Sequence, residues 1–375
     1  MALVKFGNIV NDVKVNVDRN NNPYEYYIAG DHMTSEDLTL RRKGKFSTDD
    51  VGPAFIRIFK PGQVLYGSRR TYLKKVAVAD FEGVTANTTF VLESKNEEIL
   101  SQRLLPFIML TDGFTNWSIK KSKGSTNPYI LFSDLAEYEF DLPPIEEQER
   151  LAKLLWAAYE LKESYKKLIV ATDEMVKAQF IDMFGNPIFN DKEWNYLSIT
   201  SVSDIILGST PNSTNLEYWD GDIKWITPAE LNENSFIVND TERHITEEGF
   251  NSAALKFFPK RTVIFTTRAP IGKVAIAGDK MCSNQGIKSF ICHKELNPVY
   301  LFAIFKLFTD YFIAMGTGST FKELSKSAIE KVSISVPPIN IQNDFEFFYT
   351  QSYKSKAELQ QSIENIDKVM KSLLP

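Results

Sequence analysis

Two stretches of the sequence decide how the chain is organised: Leu142-Pro-Pro-Ile-Glu-Glu-Gln148 and Val336-Pro-Pro-Ile-Asn-Ile-Gln342. Proline suits the first turn of a helix, because it has no amide hydrogen to lose there and its φ is already helical. The two stretches therefore predict the starts of two long helices. Gly185-Asn-Pro187 is expected to end the first helix and Pro375 to close the second.

The two stretches belong to a longer internal repeat. Residues 124–180 align without a gap onto residues 318–374, at an offset of 194. A second match upstream, at an offset of 198, places Arg70 opposite Arg268. The order of segments is the same in both halves, so the sequence predicts a tandem duplication.

Each long helix carries residues spaced alternately three and four apart, which is the pattern of a coiled-coil seam. Packing the helices on each other would bury both seams in a coil about 42 Å long, at ~1.5 Å per residue. The second seam is the more polar, because Ser352, Ser355 and Ser362 interrupt it. The apolar seam residues predicted for the two helices are Leu151, Leu154, Leu161, Leu168 and Met175, then Phe345, Phe348, Leu359, Ile366, Val369 and Leu373.

The segments between the helices are β-rich. Short runs of β-branched and aromatic residues, bounded by Gly, Pro, Asn and Asp, predict strands. Residues 99–117 and 298–315 are apolar at helical spacing. Each globule is therefore expected to be mixed α and β. The predicted strands are 64–66, 76–79, 88–92, 262–266, 274–277 and 288–291.

Composition limits the class of protein. The chain has 375 residues, 43% hydrophobic and 24% charged, which is typical of a globular protein and long enough for two domains. Cys282 and Cys292 are too few for a disulfide framework, so a reducing cytoplasm is expected. No apolar run approaches about 18 residues and the first residues lack an apolar signal core, so neither export nor membrane spanning is expected.

The sequence shows no motif for catalysis. It has no phosphate-binding loop of the G-x-x-x-x-G-K-[S/T] type, no G-x-G-x-x-G loop, and no Asn/Asp-Pro-Pro-aromatic turn of amino-methyltransferases. His32, His244 and His293 have neither triad nor metal spacing. We therefore expect no active site, no metal site and no cofactor in this chain.

Basic residues form clusters although the net charge is −5. Lysine and arginine clusters replace counterions on duplex DNA, and Arg, Asn and Gln suit base edges in the major groove. Clusters at similar places in both halves favour DNA binding over a merely solvated surface. They are Arg41-Arg42-Lys43-x-Lys45, Arg69-Arg70-x-Tyr72-x-Lys74-Lys75 and Lys120-Lys121-x-Lys123 in the first half, and Lys256, Lys260, Arg261, Arg268, Lys273 and Ser283-Asn-Gln-Gly286 in the second.

Several of these motifs resemble the specificity subunits of type I restriction-modification enzymes, over essentially the whole chain. The most specific are residues 142–152 with their twin at 336–342, Gly208-Ser-Thr-Pro211, and Glu217-Tyr-Trp-Asp-Gly-Asp-Ile-Lys-Trp-Ile226. Thr267-Arg-Ala-Pro-Ile-Gly272 and the 283–286 turn are also similar. The first globule lacks the 208–226 pattern, so the two globules are expected to read different sequences.

The resemblance implies an α+β architecture, with two target-recognition domains separated by two long helices packed as an antiparallel coiled coil. Each domain would read one half of a split double-stranded DNA target, and the helices would set the spacer. The subunit would be non-catalytic. It would recruit two modification subunits, which use S-adenosylmethionine to methylate adenine N6, and restriction subunits that use ATP and Mg²⁺, in a prokaryotic cytoplasm.

On this reading the domains span 1–141 and 188–335, and the helices 142–187 and 336–375. Two alternatives stay open: a specificity subunit of a methylation-only or type IIB-like system, and a coiled-coil scaffold whose globules bind protein. The residues predicted to contact DNA are Arg69, Arg70, Tyr72, Lys74, Lys120, Lys121 and Lys123 in the first domain, and Arg268, Asn284, Gln285, Ser319, Thr320 and Lys322 in the second.

Overall fold

The structure is a computed structural model that describes residues 2–268, 270–318 and 322–374. The chain divides into two compact units. The first unit combines Met1–Lys166 with Gln360–Pro375, and the second comprises Lys167–Leu359. Both boundaries fall inside long helices, so each unit contains one globule, the start of one long helix and the end of the other. The four predicted domain ranges stay a prediction.

The first half of the chain is a β-rich globule followed by one long helix. Short 3₁₀ turns lie at Arg19–Asn21 and Thr71–Leu73. Its strands are β1 (Ala2–Lys5), β2 (Val10–Asp12), β3 (Tyr26–Ile28), β4 (Gly44–Lys45), β5 (Phe55–Phe59), β6 (Val64–Gly67), β7 (Val76–Val78), β8 (Gly83–Ala86), β9 (Thr89–Ser94) and β10 (Glu139–Leu142). Its helices are α1 (Phe6–Ile9), α2 (Leu105–Ile108), α3 (Asp112–Lys121), α4 (Phe132–Ala136) and α5 (Ile145–Phe184).

The second half repeats this order with different loops. Short 3₁₀ turns lie at Leu216–Tyr218 and Pro228–Glu230. Its strands are β11 (Asn195–Ser198), β12 (Ser203–Leu207), β13 (Trp219–Ile226), β14 (Ile237–Val238), β15 (His244–Ile245), β16 (Val263–Thr267), β17 (Ile271–Ala277), β18 (Cys282–Ser283), β19 (Ile287–Cys292) and β20 (Ser333–Val336). Its helices are α6 (Ile199–Val202), α7 (Glu247–Ser252), α8 (Pro298–Leu307), α9 (Thr309–Ala314), α10 (Lys326–Ile329) and α11 (Ile339–Leu373).

The sheets of the two units have equivalent central strands. In the first unit the strand orders are β2-β9-β6-β7 and β4-β3-β8-β5, and β1 pairs with β10. In the second unit they are β12-β19-β16-β17-β14 and β15-β13-β18, and β11 pairs with β20. The strands β9-β6-β7 therefore correspond to β19-β16-β17. All six predicted strand runs overlap these central strands, because their β-branched residues fill the buried sides of the sheets.

The beginning and the end of α5 follow the sequence signals. Pro143 and Pro144 precede its first residue, and Glu146 and Glu147 lie in its first turn, where the helix dipole favours negative charge. Gly185 follows the last residue with φ +69°, a left-handed conformation that ends helices and favours glycine. The predicted end of the first helix is confirmed.

A buried glutamine fastens each long helix to its globule. The Gln148 side chain accepts a hydrogen bond from the Ser101 amide at 3.0 Å and donates to the carbonyls of Ile99 and Pro143 at 2.8 Å. Gln342 repeats all three bonds in the second unit. Both glutamines are buried, so their amides satisfy backbone groups that water cannot reach. These bonds explain why both repeats carry the Pro-Pro-x-x-x-Gln spacing at the start of the long helix.

The two long helices pack antiparallel within each unit. In the first unit, Met370 and Leu373 of α11 join the core that contains Leu155 of α5, while Lys162 pairs with Asp367 one to two turns further on. In the second unit, Phe180 of α5 lies against Phe345 of α11, with ring centroids 5.3 Å apart. A fully buried phenylalanine contributes about 1.5–3 kcal/mol. The predicted antiparallel packing of the two helices is confirmed.

The buried face of α5 differs from the predicted seam. Of that seam only Leu151 is buried, whereas Leu154, Leu161, Leu168 and Met175 are 43–51% exposed. The prediction is wrong for these four residues. The reason is that α5 packs on the globules as well as on α11, so a neighbouring stripe is the one covered: Ala152, Leu155, Tyr159, Val176, Phe180 and Phe184.

The seam of α11 is also only partly as predicted. Phe345 is buried, and Phe348 and Leu373 pack at the edges of the two cores. Leu359 and Ile366 are half-buried, and Val369 is 54% exposed.

None of the described helices is long and apolar enough to cross a membrane. The mixed α and β architecture in tandem repeat is confirmed.

Candidate nucleic-acid interface

In the first unit, the segment after β6 is held against the Gly124-Ser-Thr loop. Arg69 and Lys123 both form antiparallel bridges with Tyr129. The Arg70 amide donates to the Pro128 carbonyl at 2.7 Å, and the Ile130 amide donates to Ser68 at 2.9 Å. These backbone bonds bring two separate basic clusters of the sequence to the same place.

The second unit contains the same arrangement. Arg268, just after β16, and Thr317 both bridge to Glu323. The Leu324 amide donates to the Thr267 carbonyl at 2.8 Å. Thr317 and Glu323 correspond to Lys123 and Tyr129 at the offset of 194. In both units, residues that flank the Gly-Ser-Thr motif are thus held beside an arginine.

The structure corrects the alignment of the two arginines. Arg69 bridges to Tyr129, and Arg268 bridges to Glu323, the repeat partner of Tyr129, so the offset after β6 and β16 is 199 rather than 198. Arg69 is therefore the counterpart of Arg268, and the sequence alignment that matched Arg70 was wrong. The extra residue lies in the turn before β7, where Arg70 and Lys74 both have positive φ.

Further motifs of the second unit converge on the same loops. The Ser209 amide donates to the Ser283 carbonyl at 2.9 Å, and the Thr210 hydroxyl bonds the Gln285 side chain. A Cβ at Gly208 would lie 1.9 Å from the Asn284 carbonyl oxygen, so only glycine permits this approach. The Gly208–Pro211 and 283–286 motifs therefore form one surface.

That surface continues to Arg268. The Thr267 amide donates to the Gly286 carbonyl at 2.8 Å, and Asn284 accepts from the Gly286 amide through its side chain. Gln285 is exposed and Asn284 is half-buried. Thr210 was not among the predicted contact residues. The position of Thr210 in this surface could have been predicted from Gly208, because a glycine in a loop can indicate the close approach of another segment.

The predicted DNA-contacting cations differ in how far they are neutralised. Arg69, Arg70 and Lys120 are exposed, and no ion pair is found for them among the described residues. Lys121 is also exposed and lies over the ring of Trp117 at 4.8 Å. Lys123 lies 2.9 Å from Asp134.

Lys74 is the most enclosed of the predicted cations. Its ammonium lies 3.1 Å from both Glu36 and Asp112, and its side chain is 17% exposed. Burial opposes its charge, but the hydrogen bonds to the two carboxylates outweigh burial and raise the pKa of Lys74. The Lys74 ammonium is therefore paired within an ion-pair cluster of the globule. Tyr72, in the adjacent 3₁₀ turn, is 53% exposed.

In the second unit Arg268 lies 3.8 Å from Glu323, a loose pair that leaves the guanidinium accessible. Lys322 is exposed. Ser319 and Thr320 lie outside the described residues. The structure thus brings Arg268, Asn284 and Gln285 together, and it brings Arg69 and Lys123 together in the first unit.

Two arginines of the basic clusters form ion pairs with the long helices. Arg41 pairs with Asp37 and with Glu163 of α5, and Asp37 also accepts a hydrogen bond from Tyr159 at 2.6 Å. Arg261 forms two bonds, at 2.8 and 3.0 Å, with Glu346 of α11. Both charges are paired with carboxylates of the long helices, and the place of these arginines in the DNA-binding clusters stays a prediction.

No group of three or more His, Cys, Asp or Glu side chains in the described ranges is arranged to hold a metal ion. Cys282 and Cys292 are unpaired, and burial raises the pKa of each thiol to about 12. Both thiols are therefore neutral at physiological pH.

The chain thus consists of two mixed α and β globules of related topology, each followed by a long helix, with equivalent arginines beside the repeated loops. The model of the family described as "Type I restriction modification DNA specificity domain" matches residues 12–170 and 191–365. The chain belongs to this family.

The chain is similar to several curated type I specificity subunits. It is 40% identical, over 149 residues, to the type I restriction enzyme MjaIX specificity subunit of Methanocaldococcus jannaschii, covering 39% of this chain and 34% of that one. The chain aligns with about a third to a half of the length of this and two further curated relatives.

Two solved structures match along nearly the whole chain. The type I restriction-modification S subunit from M. genitalium is 14% identical with a TM-score of 0.62, over 100% of this chain and 96% of that one. A chain from a study of complex assembly and conformational transition of the type I R-M system is 18% identical with a TM-score of 0.62, over 99% and 96%. At this identity the matches establish the fold.

Proposed function

We propose that this chain is the DNA-reading subunit of a type I restriction-modification enzyme. Each globule binds one half of a split double-stranded DNA target, and the paired helices set the length of the unread spacer. The observation that carries the proposal is the doubled loop site, in which Arg69 and Arg268 stand at equivalent backbone positions.

The chemistry of the two sites suits duplex DNA. The exposed cations Arg70, Lys120 and Lys121 contact phosphates and release counterions. Arginine reads guanine through O6 and N7, and the amides of Asn284 and Gln285 read adenine. The loops around the two arginines differ in sequence, so the two globules select different half-sites.

The helices suit a spacer. α5 has 40 residues and α11 has 35, which corresponds to about 60 and 52 Å of helix at ~1.5 Å per residue. The glutamine bonds and the arginine pairs fasten each helix to its globule, so a change in helix length changes the separation of the two readers. Two domains that bind the major groove on the same face of DNA are separated by about 34–36 Å for each helical turn between them.

The chain itself carries out no reaction. It recruits two modification subunits, which bind S-adenosylmethionine and methylate adenine N6, and restriction subunits that use ATP and Mg²⁺ in the prokaryotic cytoplasm. The exposed stripe formed by Leu154, Leu161, Leu168 and Met175 supports recruitment, because its spacing of seven residues suits docking of a partner helix.

The test is single-molecule sequencing of DNA from cells that express this chain with its modification subunit, compared with cells that lack the chain. We expect a new split motif with N6-methyladenine on both strands. The absence of a motif, although the modification subunit is active with another specificity subunit, would overturn the proposal and favour a protein-binding scaffold.

A further inference from the structure

A lysine lies inside the second globule, directly beneath the loop site. Lys288 is in β19, a strand with neighbours on both sides, and is 4% exposed. Its ammonium donates to the Thr267 hydroxyl at 3.0 Å and to the Leu324 carbonyl at 2.7 Å. A buried lysine with these partners is unusual, because burial of an ammonium is costly.

The two partners of Lys288 belong to the segments that form the site. Thr267 directly precedes Arg268, and Leu324 directly follows Glu323, which bridges to Arg268 and Thr317. The backbone bond from Leu324 to Thr267 runs beside the two lysine bonds. The ammonium therefore joins the segment of Arg268 to the segment Glu323–Leu324.

The first globule has no such lysine at the equivalent place. Phe90 pairs with Tyr66 as Lys288 pairs with Phe265, so Phe90 is its counterpart. Phe90 stacks on Tyr66 at 6.3 Å and contacts the ring of Phe132 at 5.9 Å. An apolar side chain thus closes the same gap in the first globule, and the fold itself does not require a cation there.

The charge environment of Lys288 agrees with its position. Burial lowers the pKa of Lys288, the nearby Glu323 raises it, and Arg268 lowers it. The same two groups face each other at 3.8 Å above the ammonium. Lys288 is therefore electrostatically coupled to the arginine that would face DNA, while its own side chain has no access to DNA.

We propose that Lys288 is the positioning residue of the second half-site, in the DNA-reading function proposed above. Its ammonium fixes the segment of Arg268 relative to the segment Glu323–Leu324. It does not touch DNA, so its contribution is to base discrimination in one half of the target and not to the attraction of phosphates.

The test uses the full chain in complex with its modification subunit, after wild type has revealed the methylated motif. Lys288→Met keeps the length of the side chain and removes the ammonium. We expect one half of the motif to become degenerate while the other half is retained. Affinity for the specific duplex should fall about tenfold, as from one impaired base contact, with affinity for unrelated duplex changed less than twofold.

The salt dependence separates positioning from phosphate contact. The slope of log affinity against log salt should stay unchanged in Lys288→Met, and should fall by about one in Lys322→Gln if Lys322 contacts a phosphate. Lys306→Met is the matched control, because Lys306 is a second partly enclosed lysine of the same globule that donates to the Glu233 carbonyl instead. It should leave the motif intact.

An unchanged motif in folded Lys288→Met, or equal loss in both halves, would overturn the inference. If this variant does not fold, Thr267→Val decides, since it keeps the shape of the side chain and removes the hydroxyl, which accepts from Lys288 at 3.0 Å and donates to the Gly286 carbonyl at a longer 3.3 Å. Retention of the full motif in Thr267→Val would then count against the inference. A wild-type complex that yields no motif contradicts the proposed function itself, so the two failures are distinguishable.

Discussion

Lys162 of α5 donates a hydrogen bond to Asp367 of α11 at 2.5 Å in the first unit. In the second unit Lys356 of α11 bonds Asp173 of α5. Lys356 and Asp367 are the repeat partners of Lys162 and Asp173, at the offset of 194. The duplication therefore reproduces one interhelical ion pair with the roles of the helices exchanged, as an antiparallel pair of repeated helices requires.

The ion pair should couple the helices only weakly. Asp367 is 44% exposed, and half-exposed ion pairs contribute about 0.2–1 kcal/mol. We predict a coupling energy in this range from the double-mutant cycle of Lys162→Met and Asp367→Asn, measured by urea unfolding of the full chain. Lys356→Met with Asp173→Asn should give a similar value. Coupling between Lys162 and Asp173, which are not paired, serves as the control and should be near zero.

The buried glutamine bonds should matter more. Gln148→Leu leaves the Ser101 amide and two carbonyls without their partner, and an unsatisfied buried group costs about 1–3 kcal/mol. We predict a loss of about 2–4 kcal/mol in the free energy of unfolding, and a similar loss for Gln342→Leu. Gln361→Leu, on an exposed part of α11, is the control and should change stability by less than about 0.5 kcal/mol.

Local sequence patterns predicted the elements and the duplication. The prolines and the β-branched runs are local signals, and the repeat is a direct match between segments 194 residues apart, so together they identified α5, α11 and the central strands. The buried face of α5 could not be predicted in this way. The helix has two apolar stripes, and only the globules decide that Leu155 is covered while Leu154 stays exposed.

The candidate site was predicted in its residue types more than in its geometry. Arg268, Asn284 and Gln285 were named from chemistry, and the structure brings them together. Thr210 and Lys288 were missed because their roles depend on segments far away in the sequence. The one-residue error between Arg70 and Arg268 arose because ungapped alignment cannot detect the extra residue in a turn.

The Asp37 cluster should make the stability of the first unit sensitive to acid. Burial alone would raise the pKa of Asp37, but hydrogen bonds from Arg41 and Tyr159 outweigh it and hold the pKa below its usual 3.8. A carboxyl group whose pKa is lower in the folded than in the unfolded state stabilises the fold at pH values above its unfolded pKa. This stabilisation is lost as the pH falls through the folded pKa. Asp37→Asn should therefore be less stable than wild type at pH 7, and the difference should shrink below about pH 4.

Thermal unfolding of both chains from pH 7 to pH 3 measures this difference. Asp50→Asn, at an exposed carboxylate of the same globule, is the control and should follow wild type throughout. A constant difference between Asp37→Asn and wild type across the whole range would contradict the assigned role of the Asp37 carboxylate.

The equivalence of Arg69 and Arg268 leads to a paired prediction. Arg69→Ala and Arg268→Ala should each weaken binding of the specific duplex by about 1–3 kcal/mol and relax discrimination in one half-site, a different half for each variant. Arg70→Ala, one position further on, should act uniformly on all sequences. Binding of duplexes with one altered half-site measures the split, and uniform loss for Arg69→Ala would assign it to phosphate instead.

The exposed leucine stripe should be required by a partner and not by the free chain. Leu161→Glu and Leu168→Glu place charges on side chains that are 45% and 51% exposed, so the thermal midpoint of the free chain should change by no more than about 2–4 °C. Capture of the modification subunit in size-exclusion chromatography should be lost, because a carboxylate in an apolar helix interface is unpaired. Val170→Glu is the matched control, since Val170 is 63% exposed on the same helix but outside the stripe. Equal capture by all three variants would show that the partner docks elsewhere on the chain.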